Sequence, residues 1–144
     1  MRKNILSSTM VKQENDVAAY VRKVFLGYLK IFTRYKDKVR AGQGVEPLHH
    51  VRVTTRKLRN ALWVFKEIFP EEKLAHWKRN FRNVAKVTSS ARDLDIQIAF
   101  LRGWKNQLHK KEYRPVIEEL QRRLISRRKG MQPQIARVLD RMAD

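Results

Sequence analysis

The stretch HHVRVTTRKLRNALWVFKEIF, residues His49–Phe69, decides how the chain is read. Laid on a helix at 3.6 residues per turn, it sorts into two arcs. Val51, Leu58, Leu62, Phe65 and Phe69 fall together as an apolar face. His49, Arg52, Arg56, Arg59 and Trp63 fall on a second line, spaced by three and four residues in alternation. At about 100° per residue that line lies about 120° round from the apolar one. Successive members stand roughly 5–6 Å apart, so the line is a ladder of cationic donors on one wall of a helix. Lys57 projects elsewhere, which makes the ladder an Arg-His grouping rather than a merely basic one.

Working outward, Gly42 and Gly44 separate this helix from the one before, and Pro47 occupies its first turn. Pro70 is expected to end it after Phe69. Upstream, Val17, Val21, Val24, Tyr28, Phe32, Tyr35 and Val39 recur at helical spacing. They predict a long amphipathic helix from Asn15 or Asp16, either of which can cap it, to about Val39. Residues 1–13 carry no clear periodicity and are expected to fray. Downstream, Leu74, Trp77, Phe81, Val84 and Thr88 form the next apolar line. Thr88-Ser89-Ser90 reads as a break, with Asp93 capping a further helix that carries Leu94, Ile98, Leu101 and Leu108. Tyr113–Lys129 reads as another helix with Ile117, Leu120 and Leu124 inward. Gly130 and Pro133 stop or kink it, and Ile135, Val138, Leu139 and Met142 fit a last short helix. Nothing alternates with period two. The expected fold is all-α, an antiparallel bundle of long amphipathic helices in a single domain over residues 1–144.

The chain has 144 residues, 42% hydrophobic, which suits one modest core. It carries 33 Lys+Arg against 14 Asp+Glu, a formal net charge of +19. Self-repulsion of that size opposes compaction unless a polyanion offsets it, so the expected partner is acidic: nucleic acid, polyphosphate or an anionic membrane surface. There is no cysteine, hence no disulfide and no thiolate metal site, and the cytoplasm is the default compartment. No apolar run approaches the roughly 18 residues of a membrane span, and MRKNILSSTM is too polar and short for a signal peptide.

Arginine presents a planar fork that holds phosphate oxygens in pairs and stays charged at any relevant pH. A line of such groups suits a polymer with one negative charge per unit. His49 heads the ladder, where it either donates to an anion or takes a local partner at the helix start. Lys78, Arg82, Arg123 and Arg127 flank other apolar lines. Lys23, Lys30 and Arg34 make a similar line on the first helix, to which no role is given. Asp93 and Asp95 fit a helix cap and an orienting carboxylate for Arg92 or a ladder arginine, rather than an acid pair for catalysis. His76 and His109 have no second ligand at metal spacing. There is no phosphate loop and no nucleophile elbow. Trp63, Trp77 and Trp104 lie on or near apolar lines and are expected at the core or its edge. Were they exposed among the cations, they would suggest base stacking.

The segment His49-His50-Val51-Arg52-Val53-Thr54-Thr55-Arg56-Lys57-Leu58-Arg59, followed by Ala91-Arg92-Asp93-Leu94-Asp95-Ile96, resembles the CHAD family, the conserved histidine α-helical domain. Ser89 departs from the pattern, standing where the family commonly has glycine. The resemblance implies a helical bundle with a basic surface or tunnel that binds inorganic polyphosphate, a binding module without catalysis and without a cofactor. It implies contacts from His49, Arg52, Arg56, Arg59 and Arg92, joined by Lys78, Arg82, Arg123 and Arg127 on helical position, and no metal. Some relatives associate with polyphosphate granules. The family's domains commonly resemble two related bundles about a pseudo-twofold. This chain holds one copy of each motif, which leads us to expect a half-length arrangement and a homodimer. The rival readings are a nucleic-acid-binding helical protein and an enzyme or regulatory subunit acting on phosphate esters.

Overall fold

The computed structural model describes residues 2–108 and 111–142, with side chains from Gln13 onward. Its elements are α1 (Arg2–Arg40), α2 (Val45–Val64), α3 (Glu71–Gln107), α4 (Arg114–Gly130) and α5 (Gln132–Asp140), with 3₁₀ turns at Lys66–Ile68 and Lys111–Tyr113. No strand occurs among the described residues, and none of the helices is long and apolar enough to cross a membrane. The all-α reading holds.

The core forms where four helices meet. Val21, Phe25, Phe32 and Val39 of α1 bury against Leu48, Val51, Leu58 and Leu62 of α2, Phe81, Val84, Val87 and Ala91 of α3, and Ile135 and Leu139 of α5. Ring contacts fix the register. His50 stacks on Tyr35 at 4.2 Å and Lys57 Nζ lies 4.8 Å over the Tyr28 ring, so α1 and α2 run antiparallel. Phe32 meets Phe81 edge-on at 5.9 Å and Phe25 stacks on Trp77 at 5.9 Å, so α3 returns parallel to α1. α5 is tied to the end of α1: Gln132 Nε2 donates to Val39 O and Arg40 O, and Arg40 pairs with Asp140 at 2.6 Å.

The 37 residues of α3 span about 55 Å at 1.5 Å each, against about 30 Å for the 20 residues of α2. The first half of α3 therefore packs in the core. The second half pairs antiparallel with α4, through Asp95–Arg128 at 3.0 Å and Lys105–Glu118 at 2.7 Å. Leu94, Leu101 and Ile117 are buried along this hairpin, outside the main cluster.

Several boundaries differ from expectation. α1 begins at Arg2, not near Asn15. Val17 is 52% exposed, and Phe25 holds the buried position on that line instead. α2 ends at Val64, before Pro70: Phe69 turns extended ahead of the proline, as the proline ring demands of its predecessor, and its ring packs on Phe25 at 4.9 Å. There is no break at Thr88-Ser89-Ser90, and Asp93 sits mid-helix rather than at a cap. The hydroxyls of Thr88 and Ser90 bond back to Val84 O and Lys86 O at 2.7 and 3.1 Å, so these polar residues satisfy themselves within a continuous helix. The turn before α2 does need its glycines: Gly42 and Gly44 have φ of 71° and 79°.

The two arcs of α2 make separable contributions. Leu58 is fully buried, whereas Arg59 is exposed. Leu58→Ala should lower the urea-unfolding free energy by roughly 2–5 kcal/mol. Arg59→Ala should change it by less than about 0.5 kcal/mol. Equal losses would mean the ladder is part of the fold.

Candidate anion-binding groove

α2 lies between α1 and α3. His50 and Lys57, through Tyr35 and Tyr28, mark its α1 edge. The ladder occupies the opposite edge. His49, Arg56 and Arg59 are exposed, and Arg52 is half-buried. Trp63, expected at the core edge, is 76% exposed at the ladder's far end. None of Arg52, Arg56 and Arg59 pairs with a carboxylate among the described residues, in contrast to Arg40, Arg122, Arg123 and Arg128. Arg52 Nε is buried and has no hydrogen-bond partner. A buried donor left in that state costs about 1–3 kcal/mol.

The buried line of α3 through Phe81, Val84, Thr88 and Ala91 has two edges. Lys73, His76 and Asn80 lie on one, and with Phe25 and Leu29 of α1 and Met142 they line an apolar groove of about 880 Å³. Helical periodicity puts Lys78, Arg82, Ala85, Ser89 and Arg92 on the other edge, which borders α2. Lys78 and Arg82 are the cations of that edge, with the small residues Ala85 and Ser89 on the same line. Lys78 and Arg92 are half-buried and Arg82 is exposed. Arg92 follows on the same edge, toward the start of α2, because α2 and α3 run antiparallel. Arg123 and Arg127 are exposed on α4, which packs along the second half of α3, so the fold sets them apart from the ladder. Arg123 is also engaged with Glu119 at 2.8 Å. That hydrogen bond, with the nearby Arg122 charge, holds the Glu119 carboxyl below its usual range.

Asp95 does not orient Arg92 or a ladder arginine as expected. Its Oδ1 accepts from Arg128 Nε at 3.0 Å, with side chains only 10% and 18% exposed, while Oδ2 is buried without a partner. Arg128 was not anticipated from the sequence. Its signal was a cation four residues beyond Leu124 on the inward line of α4. Leu120, expected inward, is 45% exposed, and Trp104 is 48% exposed. Among the described residues no three His, Asp or Glu side chains converge as a metal site, and His109 lies outside those residues.

A comparison with known families finds that the CHAD domain model matches residues 23–143, a span that includes the ladder helix and the Arg-Asp-Leu-Asp stretch of α3. The chain belongs to the CHAD domain family. No curated protein and no solved structure matches it. In this CHAD domain the first motif supplies the exposed cationic edge of α2. The second marks where α3 leaves the main bundle and engages α4 through Asp95.

Asp95→Ala would strand the Arg128 guanidinium in a largely buried position. We expect a loss of about 3–5 kcal/mol in unfolding free energy, against a smaller loss for the double change Asp95→Leu with Arg128→Leu. Denaturant melts of the three proteins check this. Equal losses in the single and double variants would show that the charge pairing is not what matters there.

Proposed function

We propose that this CHAD domain binds inorganic polyphosphate along the α2–α3 channel, as a binding module to which we assign no reaction. The observation that carries the reading is the row of unpaired arginines at helical spacing, with a buried, unsatisfied Nε on Arg52. A phosphate oxygen on this edge supplies the missing acceptor, and the guanidinium forks of Arg56 and Arg59 continue the contact along the polymer. His49 and Arg92 sit toward the same end of the channel, and Lys78 and Arg82 supply the second wall. Arg123 and Arg127 extend the positive surface beyond it. The net charge of +19 draws a polyanion from a distance and is relieved by it. Asp95, one of the two acids of the second motif, is engaged with Arg128. The setting this reading implies is the cytoplasm, including polyphosphate granules.

A second reading, single-stranded nucleic acid, is favoured by one observation: Trp63, 76% exposed, offers an aromatic face at the end of the ladder. Competition among long-chain polyphosphate, short-chain polyphosphate, single-stranded DNA and duplex DNA separates the two. Polyphosphate should compete best, and Trp63→Ala should leave its binding almost unchanged. Stronger competition by single-stranded DNA, abolished by Trp63→Ala, would favour the second reading.

Replacing Arg52, Arg56 and Arg59 together by Ala should weaken polyphosphate binding at least about a hundredfold, given roughly 1.5–3 kcal/mol per charge-assisted contact. Lys57→Ala should have little effect, because Lys57 faces Tyr28 on α1. For the wild type, log affinity should fall with log salt by about 0.7 per phosphate contact. Titration calorimetry at several salt concentrations measures both. Comparable losses in Lys57→Ala and Arg56→Ala, or an affinity indifferent to salt, would overturn the proposal.

A further inference from the structure

We propose that two copies of this chain associate through the outer face of the second half of α3. That face consists of Asp93, Ile96, Gln97, Phe100, Gly103, Trp104 and Gln107, successively spaced by one or three residues along the helix. All seven are exposed. Ile96 is 52%, Phe100 66% and Trp104 48% open to solvent, and the Phe100 and Trp104 rings lie 6.2 Å apart. Val116 and Leu120 are exposed on the adjoining α4, at 68% and 45%. Aromatic side chains left bare in a row mark an interaction surface.

Charge selects the occupant. In a chain of net charge +19, copies repel each other over most of the surface. The α3 part of this face carries no Lys or Arg and one Asp, so a second, equally cationic copy meets like charge only at the rim, from Arg123 and Arg127 of α4. A polyanion, conversely, finds no donor row here. The pattern is also self-complementary. Ile96 and Trp104 lie four residues either side of Phe100, so a twofold axis at Phe100 sets Ile96 of one copy against Trp104 of the other. Gly103 has no heavy atom within 4 Å of where a Cβ would stand, leaving room beside the incoming ring.

Aromatic side chains bury roughly 150–250 Å² each when fully covered, and with Phe100 and Trp104 only partly exposed two copies bring together on the order of 450 Å². Ile96, Val116 and Leu120 add to that. The sum stays below the roughly 1,600 Å² of a standard interface, which makes the dimer reversible rather than obligate. The face continues the α3 edge of Arg82 and Ser89 beyond the ladder, and none of its residues is among the proposed polyphosphate contacts.

Light scattering coupled to size exclusion, run from low micromolar to submillimolar protein in salt that screens the net charge, tests the association. The wild-type mass should rise toward twice the chain mass with concentration, and Phe100→Glu should stay at the monomer mass with unchanged helical circular dichroism. Because the chain lacks cysteine, Phe100→Cys should form a disulfide-linked dimer on mild oxidation faster than Arg79→Cys, placed on another exposed part of α3. A wild-type monomer at every concentration would overturn the proposal. So would a dimer that survives Phe100→Glu, or equal cross-linking from both cysteine positions.

Discussion

Leu48, Val51, Leu58 and Leu62 are sealed from solvent between α1 and α3, and this buried line fixes everything α2 presents outward. A rotation of α2 by one residue, about 100°, would carry the ladder's guanidinium groups toward the core. Burying an unpaired charge costs several kcal/mol, while exposing each leucine forfeits about 1.5–3 kcal/mol. The core thus selects one rotation of the helix. That rotation holds Arg52, Arg56 and Arg59 on the side away from α1, where no described carboxylate answers them.

The charge distribution follows a division of labour along α3. Its first half packs against the ladder helix and carries Lys78 and Arg82. Its second half is held by α4, where the cations are answered internally: Lys105 by Glu118, Arg123 by Glu119, Arg128 by Asp95. The Lys105 hydrogen bond, reinforced by its charge, holds the Glu118 carboxyl below its ordinary range. The paired cations serve the hairpin, whereas Arg52, Arg56 and Arg59 have no carboxylate partner among the described residues. Asp95–Arg128 joins the two regions, because it stands where α3 passes from one to the other.

Most of the fold was legible because apolar spacing reports burial directly. The lines through Val21, Phe32 and Val39, through Val51, Leu58 and Leu62, and through Phe81, Val84 and Thr88 all lie inside. What escaped the sequence has physical causes. Thr88 and Ser90 looked like a break, since nothing in the sequence states that their hydroxyls would return to the helix's own carbonyls. Trp63 and Trp104 were expected at the core or its edge because they lie on or near apolar lines, yet both are open. Arg128 needed a partner 33 residues away, a contact no local spacing encodes. For the ladder, periodicity gave the edge, but only the packing of α1 on His50 and Lys57 determined that this edge lies away from α1.

The most direct measurement of the central claim is a crystal structure of the protein with a short-chain polyphosphate bound. The account predicts phosphate density along α2 from His49 to Arg59, with Arg52 Nε donating to a phosphate oxygen and Lys78 or Arg82 closing from α3. Ordered phosphates bound on other surfaces, with Arg52 Nε still lacking an acceptor, would contradict it.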